Sequence, residues 1–120
     1  MTGLAGIRVL VVEDEAFVAL MIEDMLEELG CTIAASVAQL AKARAIAATA
    51  EVDLAVLDVN LGGEPVFPVA ETLRARRIPL VFSTGYGASG LPADFAGFPV
   101  LGKPFAIAEL QQAIATALAA

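Results

Sequence analysis

Leu54-Ala55-Val56-Leu57 is a continuous apolar run that stops on a carboxylate, Asp58. A run without the alternation of a half-solvated strand suits the middle of a parallel sheet covered on both faces. Past Asp58 come Asn60 and then Gly62-Gly63, residues that release the chain into a turn. In open parallel sheets ligands gather at the carboxyl ends of the strands. An acid at that point therefore calls for a chemical role.

The rest of the chain supplies the neighbours such a strand needs. Arg8–Val12 is a β-branched run read as a first strand. It ends at Glu13-Asp14, and Asp14 is expected to cap the following helix. There Val18, Met21, Ile22, Met25, Leu26 and Leu29 recur at spacings of three and four, with Gly30 as the stop. Phe17 and Leu20 fall outside that inner stripe. Cys31–Ala35 reads as a second strand, and Ser36 with Gln39 as a capping box opening an Ala-rich helix to about Ala50. After the third strand, Pro65 and Pro68 place the next helix start near residues 65–68, and that helix ends near Arg77. Pro79–Ser83 is a fourth strand leaving through Thr84-Gly85. Residues 86–98 then carry Gly87, Gly90, Gly97 and Pro92 with no helical period, so Leu91, Phe95 and Phe98 can pack one or two turns at most. The fourth helix is expected to be short or poorly ordered. Pro99–Leu101 makes a fifth strand and Gly102-Lys103-Pro104-Phe105 an abrupt turn. Ile107, Leu110, Ile114, Ala117 and Leu118 stripe the last helix. Five βα units predict an α/β fold, a doubly wound five-stranded parallel sheet with right-handed crossovers.

Composition narrows the class. A chain of 120 residues is expected to be one domain, with no output module after it. At 58% apolar and 18% charged it is not a disordered sequence. No apolar stretch reaches the roughly 20 residues of a membrane span, and the first residues lack the pattern of a secretory signal. A lone Cys31 suits a reducing compartment, so a cytoplasmic location is expected. The absence of histidine rules out an ordinary zinc site. Seven basic against fourteen acidic residues give a net charge of −7, which argues against nucleic acid as a partner.

The strand ends line up as Glu13-Asp14, Asp58, Thr84 and Lys103. Three carboxylates around one point repel, so a cation is needed to hold them together, and oxygen ligands without histidine point to Mg²⁺. A carboxylate is a competent nucleophile toward phosphorus and gives an acyl phosphate. A metal ion, an ammonium and a hydroxyl can together neutralise the oxygens of a moving phosphoryl group. Lys103 is the only basic residue after Arg77. A flavodoxin-type protein would need a hydroxyl- and glycine-rich phosphate loop where Glu13-Asp14-Glu15 stands, and a P-loop enzyme its Gly-Lys-Ser/Thr. An aspartyl-phosphate hydrolase would want an acid at position 60, where the chain has Asn60.

These residues resemble the receiver domain of bacterial two-component response regulators, over nearly the whole chain. The resemblance implies phosphorylation at Asp58, with Thr84 and Lys103 beside it. It implies Mg²⁺ held by Glu13, Asp14, Asp58 and the backbone carbonyl of Asn60. It also implies a flavodoxin-like strand order of 2-1-3-4-5 and a cis bond between Lys103 and Pro104. The family's aromatic switch residue, three positions before the lysine, is here Val100. Phe82-Ser83-Thr84-Gly85-Tyr86 resembles the Phe-Ala-Thr-Gly-aromatic motif of stand-alone receivers found largely in alphaproteobacteria, and Gly85 and Tyr86 could then carry the switch. Implied partners are a sensor histidine kinase, of the HWE or a related type, or a histidine phosphotransfer protein, docking on the first helix near Phe17 and Leu20. A downstream protein would read the signal. The chain is expected to be a monomer or weak dimer without separate substrate turnover. The rival expectation is a receiver-like module that docks without being phosphorylated.

Overall fold

The computed structural model describes residues 4–85 and 91–119. Chain order is β1 (Arg8–Val12), α1 (Ala16–Glu28), β2 (Thr32–Val37), α2 (Leu40–Thr49) and β3 (Leu54–Asp58). A short pair follows, β4 (Asn60–Leu61) and β5 (Glu64–Pro65). Then come α3 (Phe67–Ala75), β6 (Leu80–Thr84), a 3₁₀ turn (Ala93–Phe95), β7 (Val100–Gly102) and α4 (Ile107–Ala119). The main sheet runs β2-β1-β3-β6-β7 with every neighbour parallel. Counted among its own five strands, that is the predicted order 2-1-3-4-5. Among the described residues no helix is long and apolar enough to cross a membrane.

Side chains alternate across each strand and build two apolar layers. Val9, Val11, Leu54, Val56, Val81 and Leu101 pack with Ile22 and Leu26 of α1 and Leu110 and Ile114 of α4. Leu10, Val12, Ala55, Leu57, Leu80 and Phe82 pack on the other face with Ala43 and Ala47 of α2 and Val69 and Leu73 of α3. Each fully buried Val, Leu or Phe side chain contributes roughly 1.5–3 kcal/mol. The sheet interior is thereby the rigid base from which the strand ends project.

Three local expectations change, and a short hairpin joins the predicted turn. Asp14 does not cap α1: Glu15 holds that position without a side-chain bond, and the Asp14 Oδ2 accepts from the Gly62 N–H at 2.9 Å. Ser36 lies inside β2, paired with Val11, and its Oγ donates to Glu23 Oε2 at 2.8 Å, so no capping box forms. In both cases a tertiary bond wins over the local one. Met21 turns outward with Phe17 and Leu20 because Ile22 and Leu26 centre the buried stripe. The β4–β5 hairpin carries no readable pattern in two-residue strands. Its turn, Gly62-Gly63, has φ of 57° and 95°, the left-handed pair that a tight hairpin turn requires.

Where a short or poorly ordered helix is expected between β6 and β7, the described residues 91–98 carry the 3₁₀ turn. Leu91 and Phe98 are half-buried, while Phe95 is buried among the rings of Phe67, Phe82 and Phe98. The Arg74 guanidinium lies 4.5 Å above the Phe95 ring and donates to the Asp94 carbonyl at 3.0 Å. Val100 is half-buried against this layer. The expectations placed on Tyr86, Gly87 and Gly90 lie outside the described residues.

Candidate functional site

The carboxyl ends of β1, β3, β6 and β7 converge because the parallel sheet points them all the same way. Glu13 follows β1 and is 2% exposed, Asp58 closes β3 and is 7% exposed, and Thr84 closes β6 and is 3% exposed. Lys103 follows β7, and its N–H donates to the Thr84 carbonyl at 2.9 Å, which holds the loop against the strand end. The Lys103–Pro104 peptide is cis. Asp14, Glu15, Asp58, Asn60, Gly62, Gly63, Gly85 and Lys103 line an open cleft of about 330 Å³.

One lysine serves two carboxylates. The Lys103 Nζ lies 2.7 Å from Glu13 Oε1 and 3.2 Å from Asp58 Oδ2. Asp58 Oδ1 also accepts from the Asn60 N–H at 3.2 Å, and Glu13 Oε2 accepts from the Glu15 N–H at 3.1 Å. Carboxylate oxygens of Glu13, Asp14 and Asp58 lie within 4.8 Å of one another, a set that could hold a metal ion. The hairpin serves this set as well. Gly62 anchors Asp14, and the Asn60 side chain accepts from the Gly63 N–H at 2.6 Å.

The electrostatics record too little positive charge. Burial pushes the Glu13 carboxyl up to about 7; its bonds from Lys103 and Glu15 only partly offset that, and the Asp58 charge adds to it. Burial also works against the Asp14 carboxylate, but hydrogen bonds with Asp58 and from Gly62 outweigh it and hold Asp14 below its ordinary range. Burial lowers the Lys103 pKa, and the two acids more than reverse that. Lys103 and Glu13 thus shift as though the pair were unequal. The lysine collects two negative neighbours, whereas Glu13 has only a share of one cation. A divalent cation with oxygen preference suits such a set, and no histidine or thiolate competes for it.

Of the residues expected from sequence, Glu13, Asp14, Asp58 and Lys103 meet directly, and Asn60 joins them through its backbone N–H. Thr84 stands at the adjoining strand end, buried and outside the cleft lining. Gly62 and Ser83 were not singled out. The double glycine signalled the turn but not its bond to Asp14, and Ser83 reads from sequence as an ordinary strand residue.

Comparison with known proteins agrees with this geometry. The family model of the response regulator receiver domain matches residues 9–115. The solution structure of SdrG from Sphingomonas melonis Fr1 is 44% identical, with a TM-score of 0.84 over 98% of this chain and 99% of that one. The receiver domain of the sensor histidine kinase PA1611 from Pseudomonas aeruginosa, solved with a magnesium ion coordinated in its active-site cleft, is 30% identical. Its TM-score is 0.78 over 97% of this chain and all of that one. The transcriptional regulatory protein PdtaR of Mycobacterium tuberculosis is 30% identical over 115 residues, and the chain spans only 56% of its length. The sheet order, the acidic cluster with its lysine and these matches make the chain a member of the response regulator receiver domain family of two-component systems.

Proposed function

We propose that the chain accepts a phosphoryl group on Asp58 from the phosphohistidine of a sensor kinase or histidine phosphotransfer protein. The observation that carries this is the three-carboxylate cluster with Lys103 bridging Glu13 and Asp58. An Asp58 carboxylate oxygen attacks phosphorus, the P–N bond to the donor histidine breaks, and that nitrogen keeps the electron pair. Glu13, Asp14, Asp58 and the Asn60 carbonyl would hold Mg²⁺, which when bound offsets charge on the transferring group. Lys103, 3.2 Å from Asp58, neutralises a further oxygen. The Thr84 hydroxyl is the remaining donor of the expected set.

The docking face for the donor is α1, beside the cleft. Phe17 is 89% exposed and Leu20 54%, with Met21 beside them, and Asp24, Glu27 and Glu28 border this patch. A helical donor with an apolar stripe and a basic rim fits that surface. A downstream protein would read the phosphorylated form, and a buried free thiol at Cys31 suits a cytoplasmic setting.

The test is phosphotransfer from a panel of radiolabelled autophosphorylated kinases. Label should appear on the parent in Mg²⁺ and be absent from Asp58→Asn, which keeps the shape and removes the nucleophile. Undiminished labelling of that variant would end the proposal. Kinase binding without any labelling would favour a module that acts by docking alone.

A further inference from the structure

Ser83 is fully buried, and its Oγ is without a hydrogen-bond partner among the described residues. A buried hydroxyl left unmade costs free energy that an alanine would not. The motif that this stretch resembles has alanine at that place. The position is also particular. Ser83 is in register with Asp58 on β3 and with Leu101 on β7. Counting two residues on from Val11, Val56 and Val81, which share one layer, puts Glu13, Asp58 and Ser83 on the same face of the sheet. Thr84, two residues on from Phe82, belongs to the opposite face.

Lys103 must cross this spot. It leaves the end of β7, and its Nζ reaches Asp58 at the end of β3 and Glu13 beyond β1. β6 lies between β7 and β3, so the lysine side chain passes over the end of β6, where Ser83 stands. An ammonium has three donors, and its contacts with Glu13 and Asp58 are ion pairs of 2.7 and 3.2 Å, so a donor remains for a third partner.

We propose that Ser83 is a positioning residue for Lys103, whose ammonium donates to the Ser83 Oγ once the phosphoryl group is on Asp58. In that state Glu13 belongs to the metal set, and the lysine loses its 2.7 Å partner just when it must stay fixed on a phosphoryl oxygen. The Ser83 hydroxyl, idle in the unphosphorylated chain, replaces that partner. This rests on the phosphoacceptor reading given above.

The experiment uses beryllofluoride with Mg²⁺ as the phosphoryl stand-in, on the parent, Ser83→Ala, Lys103→Ala and the double variant. With chelator and no beryllofluoride, Ser83→Ala should melt higher than the parent, because an unmade buried hydroxyl is gone. The same variant should bind beryllofluoride about ten- to a hundredfold more weakly, the usual scale for a hydrogen bond to a charged group. In the Lys103→Ala background the serine change should have no further effect. Parent-like affinity in Ser83→Ala, or an equal loss with and without the lysine, overturns the inference. If the lysine variants bind too weakly to measure, the ¹⁵Nζ resonance of Lys103 decides. Slow exchange with water in the parent complex that is lost in Ser83→Ala supports the bond, and equal exchange in both rejects it. A parent that neither labels on Asp58 nor binds beryllofluoride fails the phosphoacceptor reading itself.

Discussion

Glu13 is the residue whose environment says most about the site. In the unfolded chain it would ionise at its ordinary 4.5, and in the fold at about 7. The folded state therefore holds the proton more tightly, and this group's contribution is fully present below about pH 4.5. It is lost as pH rises to about 7 and stays lost above that. The penalty is on the order of 3 kcal/mol, so metal-free protein should unfold more easily at pH 8 than at pH 5.5. Glu13→Gln should flatten that dependence and raise the melting temperature in chelator at pH 8, as followed by circular dichroism across the pH series. An unchanged slope would mean that the Lys103 ammonium satisfies Glu13 after all. Asp14 has the opposite sign. Its lowered pKa stabilises the fold above about 3.8, a gain lost only in stronger acid. From sequence these two neighbours read as an acidic pair, with Asp14 expected to cap α1. What separates them is the strand end, which buries the first and turns the second toward Gly62.

At the scale of elements, the fold shows where short-range patterns decide and where they do not. The segment after β6 is expected to form at most a turn or two, and its described residues, 91–98, carry a 3₁₀ turn held by Phe95. That ring is buried against Phe67, Phe82 and Phe98. Phe95→Ala should therefore cost about 3–5 kcal/mol in denaturant unfolding, an effect out of proportion to a three-residue element. Arg74→Ala should cost roughly 1 kcal/mol, through the ring contact and the bond to the Asp94 carbonyl. The five strands, four of the helices and the cluster of Glu13, Asp14, Asp58 and Lys103 were legible because apolar period and strand-end chemistry are local signals. The caps at Asp14 and Ser36 were misread because each side chain found a partner distant in sequence, Gly62 in one case and Glu23 in the other. The β4–β5 hairpin was legible only as a double glycine. Gly63→Ala places a side chain at φ 95° and should cost about 1–2 kcal/mol, read by the same denaturant series. It should also loosen Asp14, whose Oδ2 is held by the N–H of the adjacent Gly62.

The whole molecule carries a net charge of −7, and three of its acids meet at one end of the sheet. That end is built on β1 and β3, the centre of the sheet, where every apolar side chain is buried. Repulsion there acts on the most cooperative part of the fold and not on a peripheral loop. An ion bound in the cleft should accordingly stabilise the entire domain, by RT ln(1 + [Mg²⁺]/Kd) if it binds only the native state. At a hundredfold excess over Kd this is about 2.7 kcal/mol, and for a domain of this size about 5–15 °C in melting temperature. The control is ionic strength. Sodium chloride at the same ionic strength screens exposed charges over about 10 Å but should act less on the buried Glu13 and Asp58. Mg²⁺ should therefore raise the melting temperature well beyond matched NaCl. The excess should shrink at pH 5.5, where Glu13 keeps its proton, and should be lost in Asp14→Asn combined with Glu13→Gln. Equal shifts from the two salts at pH 8 would show that the ion only screens, and the acidic cluster would then need another account.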